Sequence, residues 1–144
     1  MYIGGCLCGG IRFELHGSID NIVCCHCSQC RKAQGSAFAT NGVVQEAEFR
    51  LLAGEPLLTG YESSPGQSKY FCRQCGSPLF SRHIHRPGEL RIRLGVIDSD
   101  INERPAAHIF VGSKACWETL TGDLSQFDEY EPSRMSTGRD GDGA

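Results

Sequence analysis

The chain has 144 residues, a formal net charge of −3 and 22% charged residues, which suits one domain with one modest core. That balance excludes bulk electrostatic attraction to nucleic acid or to an anionic membrane, and no run of about 18 apolar residues is present to cross a bilayer as a helix. Met1 is not followed by the basic and apolar stretches of a signal peptide, so a soluble, cytoplasmic protein is expected.

In chain order, Cys6-Leu7-Cys8 comes first and leads into Ile11–Leu15, where Ile11, Phe13 and Leu15 alternate with Arg12 and Glu14. That period of two predicts a half-buried strand. Ile19–Cys24 reads as a second strand, delivering the densest stretch of the chain, Cys24-Cys25-His26-Cys27-Ser28-Gln29-Cys30. Ser28 is placed to cap a short helix over Gln29–Gln34, closed by Gly35. Ala37–Gln45, Phe49–Ala53 and Leu57–Tyr61 are short strand-like runs, and Asn41-Gly42 and Gly54-Glu55-Pro56 read as the turns of a meander. A turn-rich loop over 63–68 precedes a strand from Lys69 to Cys72 and the pair Cys72-Arg73-Gln74-Cys75-Gly76. Leu79–Ile84 and Leu90–Ile97 form an expected hairpin around Arg86-Pro87-Gly88, with Leu90, Ile92 and Leu94 alternating against Arg91 and Arg93. Ala107–Gly112 is a last apolar strand. Cys116 is expected as a small core hydrophobe beside Trp117, a large anchor with its indole N–H bonded. Many short strands and one short helix predict a mainly β domain over residues 1–131, with 132–144 a flexible tail, since that polar, Gly-rich end buries too little to offset the entropy of ordering.

Nine cysteines raise the question of disulfides or metal. The odd number and the Cys-x-Cys and Cys-x-x-Cys spacings favour metal in a reducing compartment. If the backbone is extended through Cys25, His26 and Cys27, alternation puts Cys25 and Cys27 on one face and Cys24 and His26 on the other. A turn into a helix then returns Cys30 to the same point. Three thiolates suit Zn²⁺ and leave its fourth corner open, as in a catalytic zinc. The outer pairs, Cys6/Cys8 and Cys72/Cys75, together supply four thiols, the complement of a closed structural site. That pairing rests on ligand count, since spacing leaves open which pair joins which. Two alternatives stay open at the centre: Cys24 in place of Cys25 if the register slips, and His26 as a fourth donor instead of a hydrogen-bonding support.

Gly5-Cys6-x-Cys8-Gly9-Gly10, then Cys25-His26-Cys27-Ser28-x-Cys30-Arg31 with Gly35-Ser36-Ala37-Phe38, then Phe71-Cys72-x-x-Cys75-Gly76-Ser77 resemble the glutathione-dependent formaldehyde-activating enzyme family. Pro105–Val111 and Trp117 also match, so the resemblance runs from about residue 3 to about residue 131. It implies the Mss4-like fold of coiled β-sheets, shared with centromere protein V. It also implies a carbon–sulfur lyase that joins glutathione to formaldehyde as S-hydroxymethylglutathione, with the catalytic zinc on Cys25, Cys27 and Cys30 and the structural zinc on Cys6, Cys8, Cys72 and Cys75.

A metal-bound thiol loses its proton and becomes a nucleophile at neutral pH, so a small-molecule thiol and an aldehyde are the expected partners. Arg31 and Lys32, beside the central cysteines, are candidate anchors for the glutathione carboxylates, against the plainer reading of a solvated helix face. His108 is either an acid or base near the open zinc or a satisfied core histidine. Arg82, His83, His85 and Arg86 read as a hairpin surface. The competing function is a non-catalytic, zinc-stabilised module for a protein partner. A nucleic-acid role lacks a basic stripe with stacking aromatics, and a redox Cys-x-x-Cys at Cys72 lacks its βαβ setting.

Overall fold

The computed structural model describes residues 1–132. Its strands are β1 Tyr2–Gly5, β2 Arg12–Leu15, β3 Asp20–Cys25, β4 Ala39–Gln45, β5 Phe49–Ala53, β6 Leu58–Ser64, β7 Gln67–Cys72, β8 Pro78–His83, β9 Glu89–Arg93, β10 Ala107–Ile109 and β11 Ser125–Gln126, and the one α-helix, α1, is Ser28–Gln34. The mainly β architecture matches the expectation. The strands form a three-stranded sheet in the order β1-β2-β5 and an eight-stranded sheet in the order β11-β10-β3-β4-β9-β8-β7-β6. Pairing is antiparallel except where β10 lies parallel to β3 and to β11.

Alternation decides what each face of the large sheet meets. Ile22, Val44, Leu90, Ile92 and Phe80 turn to the small sheet and pack with Ile11, Phe13 and Leu15 into the main core. A ladder of rings crosses it, Phe13 to Phe49 at 5.0 Å and Phe49 to Phe80 at 5.5 Å between centroids. Val23, Cys25 and Ala39 turn to the other face, where they pack with Cys27 and Cys30, Ala107, Ile109 and Tyr130. Because both faces of β3 are covered, Ile22 to Cys25 are buried without interruption.

Several expectations are corrected. Asn41-Gly42 is no turn; it lies in the middle of β4, paired with Arg93 and Ile92. A Cβ on Gly42 would lie 2.3 Å from Ile19 Cγ2 and 3.1 Å from Ile22 Cγ1, so the glycine admits a close approach of side chains to the strand. The expected loop over 63–68 shrinks to a tight turn at Pro65-Gly66 between β6 and β7. β9 ends at Arg93, and Leu94–Val96 forms a 3-10 turn; likewise β10 ends at Ile109, before a 3-10 turn at Val111–Ser113. Trp117 is 70% exposed and Cys116 is exposed, so neither is a core residue. Ala115 takes the buried position there, and Lys114 Nζ donates to the Glu118 carbonyl across an irregular surface turn. β1 and β11 had no signal, being too short to show a period. The expected tail lies, apart from Pro132, outside the described residues.

Filling Gly42 should overpack the main core. Gly42→Val is expected to cost about 1–3 kcal/mol, read as a lowered urea midpoint at unchanged m-value.

Candidate metal centres and an adjoining cavity

Two groups of cysteines converge. The sulfurs of Cys6, Cys8, Cys72 and Cys75 lie within 4.8 Å of one another, and so do those of Cys25, Cys27 and Cys30. No disulfide joins any cysteine among the described residues.

The outer group is built from two small loops. Cys6 N–H donates to the Ile11 carbonyl, while Ile11 N–H donates to Cys6 Sγ at 3.2 Å, folding the chain around that sulfur. On the other side Cys72 N–H donates to the Ser77 carbonyl and Gly76 N–H to the Cys72 carbonyl. Gly76 has φ of 80°, a conformation that a side chain would strain. Leu7 N–H donates to Ser77 Oγ at 2.9 Å and ties one loop to the other. The Ser77 hydroxyl, 3.3 Å from Cys75 Sγ, holds that thiol down at about 5.

The inner group straddles the start of the helix. Cys25 ends β3, Cys27 precedes α1 in extended conformation and Cys30 lies in its first turn. The expected Ser28 cap is corrected: Cys27 Sγ accepts from Cys30 N–H at 3.3 Å and caps the helix itself. All three cysteines are buried. Hydrogen bonds from Cys25 and Cys27 hold the Cys30 thiol well below its ordinary range, while the Cys27 and Cys30 sulfurs push Cys25 up. Such sharing of protons marks a set of sulfurs held too close to ionise independently.

The donors fit a tetrahedral soft metal. Bonds of about 2.3 Å put sulfurs roughly 3.8 Å apart, and Cys6–Cys8 at 3.5 Å and Cys8–Cys72 at 3.9 Å straddle that spacing. Both groups can hold a metal ion, one with four sulfurs and one with three.

Cys24 turns to the opposite side, with its sulfur 4.0 Å from Thr40 Oγ1. His26 is fully buried and also turned away: its Nε2 lies 2.9 Å from His108 Nδ1, and its backbone N–H donates to the Ile109 carbonyl. Burial, then the neighbouring His108, lowers His26 to about 4, and burial lowers His108 as well. His26 Nδ1 has no partner among the described residues. Of the two candidate anchors, Arg31 Nε donates to the His26 carbonyl at 3.2 Å, and Lys32 is exposed. Arg82 pairs with Glu46 and lies over the Tyr70 ring, and Arg86 pairs with Glu89 at 3.4 Å, as a hairpin surface does.

Sequence reasoning missed the residues beside the inner group. Lys69 and Arg93 are buried, and both feel the charge of Cys30, Cys27 and Cys25, which works against the lowering that burial imposes on them. They line a cavity of about 210 Å³ whose other walls are Ala33 of α1, Tyr61, Tyr70, Phe71, Gly76, Pro78 and Phe80. The alternation of Arg91 and Arg93 with Leu90 and Ile92 was the available signal. It reads as a solvent face until a helix is known to lie across it.

Residues 1–113 match the family profile described as glutathione-dependent formaldehyde-activating enzyme. Curated relatives carrying that name provisionally include proteins from Aspergillus flavus, 29% identical over 79 residues, and Podospora anserina, 32% identical over 79 residues. An uncharacterised lyase of Schizosaccharomyces pombe is 29% identical over 79 residues, 55% of this chain and 56% of its own. The matches span 54% of this chain but only 41% of the Aspergillus protein and 37% of the Podospora protein. A Rhodobacter sphaeroides protein of known crystal structure shares the fold, with TM-score 0.57 and 24% identity over 69% of this chain and 91% of its own. With most of its length on the family profile, the chain belongs to the glutathione-dependent formaldehyde-activating enzyme family.

Proposed function

We propose that the chain is a zinc-dependent carbon–sulfur lyase-type enzyme, in which a thiol held at the inner cysteine group combines with formaldehyde or another small aldehyde. The observation that carries this reading is the inequality of the two groups: four sulfurs close one site, whereas three buried sulfurs leave a tetrahedral ion one corner short. In this reading Cys6, Cys8, Cys72 and Cys75 hold a structural zinc and Cys25, Cys27 and Cys30 a catalytic one. When bound there, zinc supplies thiol activation, lowering the pKa of a fourth sulfur donor so that it reaches the aldehyde as thiolate. With glutathione and formaldehyde the carbon–sulfur bond forms as the thiol proton passes to the carbonyl oxygen, giving S-hydroxymethylglutathione; the reverse step is the lyase reaction.

The chain's own contribution is to hold the donors. Ile109 and Arg31 fix the peptide of His26 from two sides, which sets the separation of Cys25 and Cys27. The His26–His108 contact keeps both rings out of the sulfur group, so neither fills the open corner. Arg31 and Lys32, on the outer side of α1, are proposed to meet a glutathione carboxylate at the rim.

Protein purified without added metal is expected to carry two zinc ions per chain, and glutathione should change the metal–sulfur spectrum of one of them. Two ions indifferent to glutathione would shift the reading to a non-catalytic module for a protein partner. The two groups should also fail differently. Cys27→Ser should lose one zinc while keeping a cooperative melt close to that of wild type, because the serine hydroxyl can still cap the helix. Cys75→Ser should abolish cooperative unfolding, because a structural zinc contributes its binding free energy to folding. Equal damage, measured by metal analysis and thermal melts, would count against the division of roles.

A further inference from the structure

Asn41 is a buried polar residue that packing does not explain. It lies in the middle of β4, facing Val23 on β3 and Arg93 on β9. Facing residues of paired strands share a side of the sheet, so Asn41 is on the side that carries Val23, Cys25 and Ala39. Its neighbour Gly42 meets Ile19 and Ile22 on the opposite side, as alternation requires. Asn41 has no exposed surface, and neither its amide nitrogen nor its amide oxygen has a hydrogen-bond partner among the described residues. A carboxamide carries two donors and an acceptor, and protein interiors almost never leave all of them unused. A leucine, with the same branching, would fill the position without that penalty.

Three placements tie this amide to the inner cysteines. Ala39 faces Cys25 directly, so Asn41, two residues along the same strand, is the diagonal neighbour of Cys25, about 7–8 Å away along the backbone and closer between side chains. Arg93, which faces Asn41 from the other side, feels the charge of Cys30, Cys25 and Cys27, so the pair lies within electrostatic range of all three sulfurs. Gln34 stands one helical turn after Cys30 on the same face of α1, and its Oε1 is likewise buried without a partner among the described residues. Arg93 also lines the cavity of about 210 Å³ bounded by exposed Ala33 and Tyr61, so the strand beside Asn41 borders a space that reaches the surface.

The proposed reaction has one oxygen that changes character. It is a carbonyl acceptor before the carbon–sulfur bond forms, gains negative charge as the bond forms, and is a hydroxyl afterwards. A carboxamide answers all three states: its NH₂ donates to the carbonyl and to the developing charge, and its oxygen accepts from the hydroxyl. We infer that Asn41 is a catalytic residue whose carboxamide binds the aldehyde oxygen, donating to it while the carbon–sulfur bond forms or breaks. The thiol proton still passes to that oxygen, so Asn41 leaves the step unchanged. The inference rests on the proposed thiol chemistry and adds the residue that acts on the carbonyl.

The chain has three asparagines, Asn21, Asn41 and Asn102, so isotope-labelled asparagine gives a sparse set of side-chain amide signals in nuclear magnetic resonance. The Asn41 signal, assigned through its own backbone, is expected to move when the zinc-loaded protein receives glutathione with formaldehyde, and to move more than with either alone. Asn41→Leu should lower the enzyme-dependent rate of S-hydroxymethylglutathione breakdown about 100-fold, the usual loss for one donor to a developing oxyanion, at unchanged zinc content and glutathione affinity. Its urea midpoint should equal or exceed that of wild type, because an unpartnered buried amide gives way to an apolar side chain of similar shape. A lowered midpoint with an undiminished rate would overturn the inference and make the amide structural. An Asn41 signal indifferent to the adduct, while glutathione still changes the zinc–sulfur spectrum, would overturn it and leave the thiol reading standing; that measurement on wild type decides the matter if the variant folds poorly. If neither glutathione nor its adduct binds, the thiol chemistry falls and this inference falls with it.

Discussion

Seven sulfurs drawn from three stretches of chain must be held at distances of a few ångströms, and the rest of the structure follows from that demand. The outer group joins Cys6 and Cys8 to Cys72 and Cys75, closing a long loop, and it does so through two compact turns, each closed by its own N–H to carbonyl bonds and tied to the other by Leu7 N–H on the Ser77 hydroxyl. The loop so closed contains β2 and β5 of the small sheet, the helix, and β3, β4, β6 and β7 of the large sheet. A metal on those four sulfurs would fasten β7 of the large sheet to the turn between β1 and β2 of the small sheet.

The inner group obeys a different constraint. It lies on a central strand buried on both faces, and its third sulfur comes from a helix that the second sulfur caps. The same sulfur therefore serves helix geometry and the convergence of donors, and the spacing Cys-x-Cys-x-x-Cys is what a strand end, a cap and a first helical turn require. His26 shows how strictly the alternation is kept: one residue from each of two converging sulfurs, it is nonetheless turned away and held against His108 and Phe38.

The large sheet thus has two faces with different chemistry. Toward the small sheet it is an ordinary apolar interior with stacked rings. On the other side the apolar cover of Val23, Ala39, Ala107 and Ile109 around the cysteines gives way to Asn41, Arg93, Ser81 and Lys69. The transition follows the strand pairing, Val23 to Asn41 to Arg93 and Ser81 to Lys69.

How much of this the sequence determined by itself depends on the range over which each feature is decided. The inner trio was legible because strand alternation and a helix start are local rules, and they place Cys25, Cys27 and Cys30 together without reference to the rest of the chain. The β-rich class was legible for the same reason, from Ile11–Leu15 and the hairpin around Arg86-Pro87-Gly88. The union of Cys6 and Cys8 with Cys72 and Cys75 could be reached only through ligand count, since nothing local links them. Asn41-Gly42 carried a turn signal, and Trp117 and Cys116 carried core signals, because propensity does not know that Ile19 will lie against Gly42 or that Ala115 will fill the interior instead. Arg93 and Lys69 show the limit most plainly. Their alternation with apolar neighbours marks one face of a strand as polar, but whether that face meets water or forms the floor of a cavity was decided only when β7, β8 and β9 came together and α1 closed over them.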